Sequence, residues 1–150
     1  MRGEDTDTSI LIDGMNGVLV RFAKCCNPIA GDPVTGWITR GRGVSVHRRG
    51  CPHAMQLDPV RRVAVQWANK RSVDLPVSLR VLTDDRPGIL ASVSTVFRDN
   101  GVSINEATCL SQDDGRAENM FSFRIGDTEK LRALMRGVSR LKGVLGVERV

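Results

Sequence analysis

The sequence predicts an α+β chain in two parts, a small mostly-β module followed by a ferredoxin-like βαββαβ domain. Three observations carry this reading. The first 72 residues are short apolar runs broken by Gly and Pro, whereas the rest holds two stretches with apolar residues at helical spacing. Charge divides at the same place: residues 1–72 contain 11 Lys/Arg against 6 Asp/Glu, a net +5, and residues 73–150 contain 11 against 11. Cys25, Cys26 and Cys51 all fall in the first part, and Cys109 stands alone downstream. A boundary is expected near Lys70-Arg71-Ser72, giving a disordered leader at 1–8, a first module at 9–72 and a second domain at 73–150.

In the first module, Ile10-Leu11-Ile12 and residues 18–22 flank Asp13-Gly14-Met15-Asn16-Gly17. The Asn-Gly pair favours the positive φ values of a tight turn, so these runs predict a β-hairpin. Residues 34–40 and 44–47, joined by Gly41-Arg42-Gly43, predict a second hairpin, and Val63-Ala64-Val65-Gln66-Trp67 a closing strand. Residues 52–57 are the one short helix expected, with Pro52 near its first position, where a missing N–H costs nothing.

The second domain opens with the alternation Val77, Leu79, Val81, a half-buried strand. Asp84-Asp85-Arg86-Pro87-Gly88 supplies cap and Pro signals for a helix that ends at Asn100-Gly101, with Ile89, Leu90, Val93, Val96 and Phe97 as its buried stripe. Residues 102–110 and 116–125 are strands joined through the Asp-Gly turn of Ser111-Gln112-Asp113-Asp114-Gly115. A second helix starts at about Thr128, capped by Asp127 or Thr128, with Leu131, Leu134, Met135 and Val138 inward, and residues 145–150 form the last strand. The order βαββαβ implies four antiparallel strands with both helices on one face.

With 41% hydrophobic and 26% charged residues the composition is that of an ordinary globular chain. No apolar run approaches the roughly 18–20 residues that span a bilayer, and the start Met1-Arg2-Gly3-Glu4-Asp5-Thr6-Asp7 is too acidic for a secretory signal. No membrane partner and a cytoplasmic location are expected. Adjacent Cys25 and Cys26 argue for reduced thiols or a metal site over a secreted disulfide framework.

Cys25, Cys26, His47 and Cys51 are spaced C-C-x20-H-x3-C, a set of soft donors of the kind zinc takes tetrahedrally. On a regular strand the two adjacent cysteines would face apart, so a shared ion requires the backbone to turn, which Asn27-Pro28 supplies. That makes the first module zinc-finger-like, its metal structural, since a small β unit gains stability from a bound ion. The competing readings are buried thiols beside a surface histidine, or a redox pair at Cys25–Cys26, which the geometry of neighbouring residues strains. His53 is the substitute ligand if His47 points away, and Cys109 reads as a small core residue. Around this set crowd Arg40, Arg42, Arg48 and Arg49, with Arg61, Arg62, Trp37 and Trp67 near, a composition suited to RNA phosphates and an exposed ring for a base. A solvated basic face is the alternative.

At Cys25-Cys26-Asn27-Pro28-Ile29-Ala30-Gly31-Asp32 and Gly36-Trp37-Ile38-Thr39-Arg40-Gly41-Arg42-Gly43-Val44-Ser45-Val46-His47-Arg48-Arg49-Gly50-Cys51-Pro52, the chain resembles the C-terminal regulatory region of the RelA/SpoT family. Asp85-Arg86-Pro87-Gly88-Ile89-Leu90 is similar to the ACT domain that ends those proteins. The resemblance implies a RIS, or zinc-finger, domain and an ACT domain of a cytosolic enzyme that makes (p)ppGpp from ATP and GTP or GDP and in many members hydrolyses it. Both active sites lie in the N-terminal half of such enzymes, so no catalytic residue is expected here. It places the family's metal positions on Cys25, Cys26, His47 and Cys51, and implies contact of the first module with ribosomal RNA in the full-length protein, for which the composition offers Arg40, Arg42, Arg48, Arg49 and Trp37. For the ACT domain it implies a homodimer formed through the sheet, contacts with other domains of the parent enzyme, and an amino-acid ligand at Asp85, Gly88 and Ile89, with Ser103 or Asn105 on the second strand. Two rivals are an amino-acid-binding ACT module of a biosynthetic enzyme, which leaves the first module unexplained, and a small Cys–His enzyme, for which no third orienting residue or nucleotide cradle is visible.

Overall fold

Alternation of apolar and polar side chains builds strands of very different length in the two halves of the chain. The computed structural model describes residues 10–12, 18–68 and 73–150, and the chain divides into two units, Met1–Val73 and Asp74–Val150. The expected leader, the turn at 13–17 and the junction at 70–72 lie outside the described residues.

The first unit contains β1 (Ile10–Ile12), β2 (Val20–Phe22), β3 (Val34–Ile38), β4 (Val44–Arg48), β5 (Arg62–Val63) and β6 (Val65–Trp67). Single 3-10 turns lie at Ala54–Gln56, within the helix expected at 52–57, and at Pro59–Arg61, which the sequence did not announce. The second turn is capped by Asp58, whose carboxylate accepts from the Val60 N–H at 3.0 Å. The hairpin at 41–43 forms as expected, β3 and β4 pairing antiparallel from Val34↔Arg48 to Ile38↔Val44. Gly43 is required there: its φ is +77°, and a Cβ would stand 2.1 Å from the Leu19 carbonyl oxygen.

The first expected hairpin does not form. β1 pairs antiparallel with β6, whereas β2 lies parallel to β4 in a sheet of order β2-β4-β3-β5. Separated, Ile10 and Val20 both join one buried cluster with Val34, Val44, Val46 and Val65. The closing strand is likewise divided, β5 pairing with β3 and β6 with β1, and Ala64 marks the break.

The second unit contains β7 (Leu75–Asp84), α1 (Ile89–Asp99), β8 (Ile104–Ser111), β9 (Arg116–Ile125), α2 (Thr128–Ser139) and β10 (Val144–Arg149). Its sheet is antiparallel throughout, in the order β10-β7-β9-β8, the ferredoxin-like arrangement the element order predicts. Phe97 on α1 packs against Phe121 and Phe123 of β9, with centroids 5.5 and 5.1 Å apart. The two helices approach where Gly137 on α2 leaves room for Val96 on α1. α2 is capped as expected, Asp127 accepting from the Lys130 N–H at 2.8 Å. α1 has no side-chain cap; its N-cap position is Gly88 in left-handed conformation, and Asp84 is paired instead with Arg86. Leu90 is exposed, off the stripe formed by Ile89, Val93 and Phe97. No helix among the described residues is long and apolar enough to cross a membrane.

Candidate metal centre and basic cleft

Four side chains far apart in sequence converge in the first unit. One ligand atom from each of Cys25, Cys26, His47 and Cys51 lies within 4.8 Å of the others. The Cys25 Sγ is 3.4 Å from His47 Nδ1 and 3.5 Å from Cys51 Sγ, and Cys26 Sγ is 3.9 Å from His47 Nδ1. A tetrahedron with zinc–sulfur bonds near 2.3 Å and zinc–nitrogen bonds near 2.05 Å has edges of about 3.8 Å between sulfurs and about 3.6 Å from sulfur to nitrogen, so the donors stand where one small ion needs them.

Local backbone makes this convergence. After Cys25 and Cys26 the chain turns, the Asn27 N–H bonding to the Ala23 carbonyl at 2.9 Å with Asn27 at φ 46°. This is the turn at Asn27-Pro28 that adjacent ligands demand. Buried Asp32 then closes the next loop by accepting from the Ile29 N–H at 2.8 Å. His47 reaches the cluster from β4, and Cys51 follows in the turn between β4 and the 3-10 turn at Ala54–Gln56, its N–H bonded to the Arg48 carbonyl. Supporting bonds fix the donors: Ser45 Oγ lies 3.1 Å from His47 Nε2, leaving Nδ1 as the ligand nitrogen, and the Arg48 N–H donates to Cys26 Sγ at 3.3 Å. Ser45 and Asp32 carried no signal in the sequence beyond their position next to the ligands.

The protonation pattern of the metal-free cluster is uneven. Burial, outweighing the Arg48 N–H bond, pushes the Cys26 thiol up to about 12, and burial also raises Cys25. Burial acts on Cys51 in the same sense but is overcome by the Ala54 N–H, the Cys25 thiol and the His53 N–H, which together bring it below its ordinary value. His47 is lowered by burial and by His53, which favours the neutral ring that a metal requires. His53 is exposed and stands outside the cluster, so it is not needed as a substitute ligand.

The basic residues do not form one patch. Arg40, Arg42 and Trp37 line a cleft of about 550 Å³ together with Arg61, Leu57 and Asp58, whereas Arg49 lines a second one of about 320 Å³ with Arg62. Arg48 lies between solvent and Asp32, its Nε 4.0 Å from that carboxylate. The expectation of an exposed ring fails for both tryptophans. Trp37 is only 7% exposed, packed with Cys26, Cys51 and Ala54, and Trp67 stacks on Phe22 and donates its indole N–H to the Asp32 carbonyl. Trp37 is buried and Trp67 half-buried because a small unit with few large apolar residues spends them on its core.

In the second unit, Asp85 and Gly88 are exposed at the loop before α1 and Ile89 is buried at its first turn. Ser103 precedes β8, and Asn105 sits where the register shifts between Ile104 and Glu106, so the two do not share a regular strand face. Neither described cleft includes these residues. Cys109 is exposed rather than in the core, because β8 is an edge strand open to solvent on both sides.

Comparison with known proteins bears on both units. The model of the RelA/SpoT RIS domain matches residues 10–68 and that of the ACT domain residues 71–149. The chain is 49% identical to a GTP pyrophosphokinase of Myxococcus xanthus, over 99% of this chain and 20% of that protein. It is 36% identical to a GTP pyrophosphokinase of Streptomyces coelicolor, over 99% of this chain and 18% of that one, and 37% identical to the bifunctional (p)ppGpp synthase/hydrolase RelA of Mycobacterium tuberculosis, over 96% and 20%. It thus spans about a fifth of the length of these curated relatives. Two domain matches in tandem, together covering nearly all the described residues, establish that the chain belongs to the RelA/SpoT family and corresponds to its C-terminal RIS and ACT region.

Proposed function

We propose that this chain is a non-catalytic regulatory part of a cytoplasmic (p)ppGpp synthetase or synthetase/hydrolase, acting in the stringent response. In this reading Cys25, Cys26, His47 and Cys51 hold a structural zinc ion, and the first unit carries arginines to ribosomal RNA. Zinc would supply cross-linking between β4, the Cys25–Cys26 turn and the 3-10 turn, and no reaction. The observation that carries the proposal is the contiguity of two features: the four-donor cluster packs directly on Trp37, and Trp37 lies in the same cleft wall as Arg40 and Arg42. The ACT unit would control the distant catalytic domains through ligand binding at Asp85, Gly88, Ile89 and Asn105 or through pairing with a second copy.

Pairing is favoured by one specific feature. β8 is bonded to β9 alone among the described strands and carries Leu110, 62% exposed, so its outer edge is free to extend the sheet. Sedimentation velocity should then show a concentration-dependent species, and a monomer at all concentrations counts against it. The RNA contact is tested by ribosome binding across a salt series. Replacing Arg40, Arg42, Arg48 and Arg49 together with Ala should weaken binding and flatten its dependence on salt, since each lost phosphate contact removes counterion release. Wild-type affinity and slope in that variant reject the proposal.

A further inference from the structure

The cleft beside the metal centre has a chemistry narrower than a basic surface. Three guanidiniums open onto it, from Arg40 and Arg42 in the β3–β4 hairpin and Arg61 in the second 3-10 turn, and none has a hydrogen bond or ion pair among the described residues. The single carboxylate in its wall, Asp58, is committed to capping the Val60 N–H. The site therefore has an excess of two positive charges and a set of planar donors that match the oxygens of a phosphate. Next to them Leu57 exposes an apolar surface, and Trp37 brings an indole N–H that is buried and without a partner. That nitrogen is sealed from solvent, so it belongs to the packing behind the wall and is not a contact point for a ligand.

A phosphate-binding end beside an apolar wall suits a nucleotide. We propose that this cleft seats a single unpaired nucleotide of an RNA strand, its phosphate on Arg40, Arg42 and Arg61 and its base against Leu57. The proposal rests on the reading that the first unit binds RNA and narrows it. The volume of about 550 Å³ falls in the range of roughly 300–1,000 Å³ that takes a small ligand. A base inside a duplex has its edge paired and its faces stacked, so only an unpaired one can enter. Because the Trp37 ring is buried against Cys26 and Cys51, it offers no stacking platform, and the exposed Leu57 is left as the apolar surface for the base.

Fluorescence anisotropy with two labelled RNA hairpins, identical except for one unpaired bulged nucleotide, tests this on the intact chain. The bulged hairpin should bind about tenfold more tightly. Arg61→Ala should bring that ratio close to one, while Arg49→Ala, which lies outside the cleft, should weaken both hairpins equally and keep the ratio. Equal affinity of the wild type for the two hairpins, or a ratio that survives Arg61→Ala, overturns the nucleotide seat and leaves general RNA binding standing. Failure of both hairpins to bind at low salt overturns the RNA reading and the seat together. If free adenosine or guanosine monophosphate binds the chain and erases the bulge preference, the cleft belongs to a free nucleotide, and an RNA strand is not its occupant.

Discussion

Strands β7, β8 and β9 of the second unit run eight to ten residues and lie with two helices around a core that includes Phe97, Phe121 and Phe123. No described strand of the first unit exceeds five residues, and its main cluster is Ile10 and five valines. The second unit buries three aromatic rings fully, and the first instead surrounds a four-donor cluster with Trp37 and Ala54. With zinc bound as proposed, the difference is between two routes to a stable small domain: enough apolar area, or a metal cross-link that substitutes for it.

The largest effect should come from breaking the cross-link. Cys51→Ser removes one donor from a site of a type whose closure by zinc is worth roughly 10–16 kcal/mol in small zinc modules. Metal analysis should find about one zinc per chain in the wild type and little in the variant. Calorimetry should show the loss of one of two unfolding transitions while the other stays in place. Two unchanged transitions in Cys51→Ser would mean that these are buried thiols and that the comparison is mistaken. The converse substitution sharpens it: Phe97→Ala should cost about 3–5 kcal/mol, lowering the other transition by at least about 12 °C and leaving the zinc content alone.

These two residues also mark what the sequence made legible. Phe97 belongs to a helical repeat and Cys51 to a spaced donor set, and both patterns are local enough to read along the chain. The hairpin at 41–43, the Asp127 cap and the long alternating strands were readable for the same reason. What failed was partner choice. Nothing in Ile10-Leu11-Ile12 says that its partner is β6 rather than the nearer β2, because three alternating residues match any edge of suitable twist. Cys109 looked internal because the strand order that puts β8 at the edge is a tertiary fact. Trp37 looked exposed because its neighbours in sequence are arginines, whereas its neighbours in space are the cysteines. Arg61 could have been tied to Arg40 and Arg42 only by foreseeing the Asp58-capped turn that presents it.

The smallest effect concerns surface charge, where the units differ again. Four arginines of the second unit are ion-paired: Arg80 with Glu118 and Glu148, Arg86 with Asp84, Arg98 with Asp99, and Arg116 with Asp114. In the first, Arg40, Arg42 and Arg61 are left facing a cleft. The Arg116 Nε and Nη2 donate to Asp114 Oδ2 at 2.8 and 2.6 Å, and these bonds, only partly opposed by desolvation, hold the carboxyl below its ordinary 3.8. A value depressed by folding contributes stability above the unfolded value and loses it as pH falls through the folded one, so any effect is confined to acid solution. In an exposed hairpin turn solvent screens the pair. Arg116→Ala should therefore move the Asp114 carboxyl back towards 3.8 in an NMR titration and leave the melting temperature at neutral pH unchanged. An Asp114 titration that ignores the substitution would show that the pair is not formed in solution. A clear shift with no change in melting would show that this exposed ion pair forms in solution yet contributes nothing measurable to the fold.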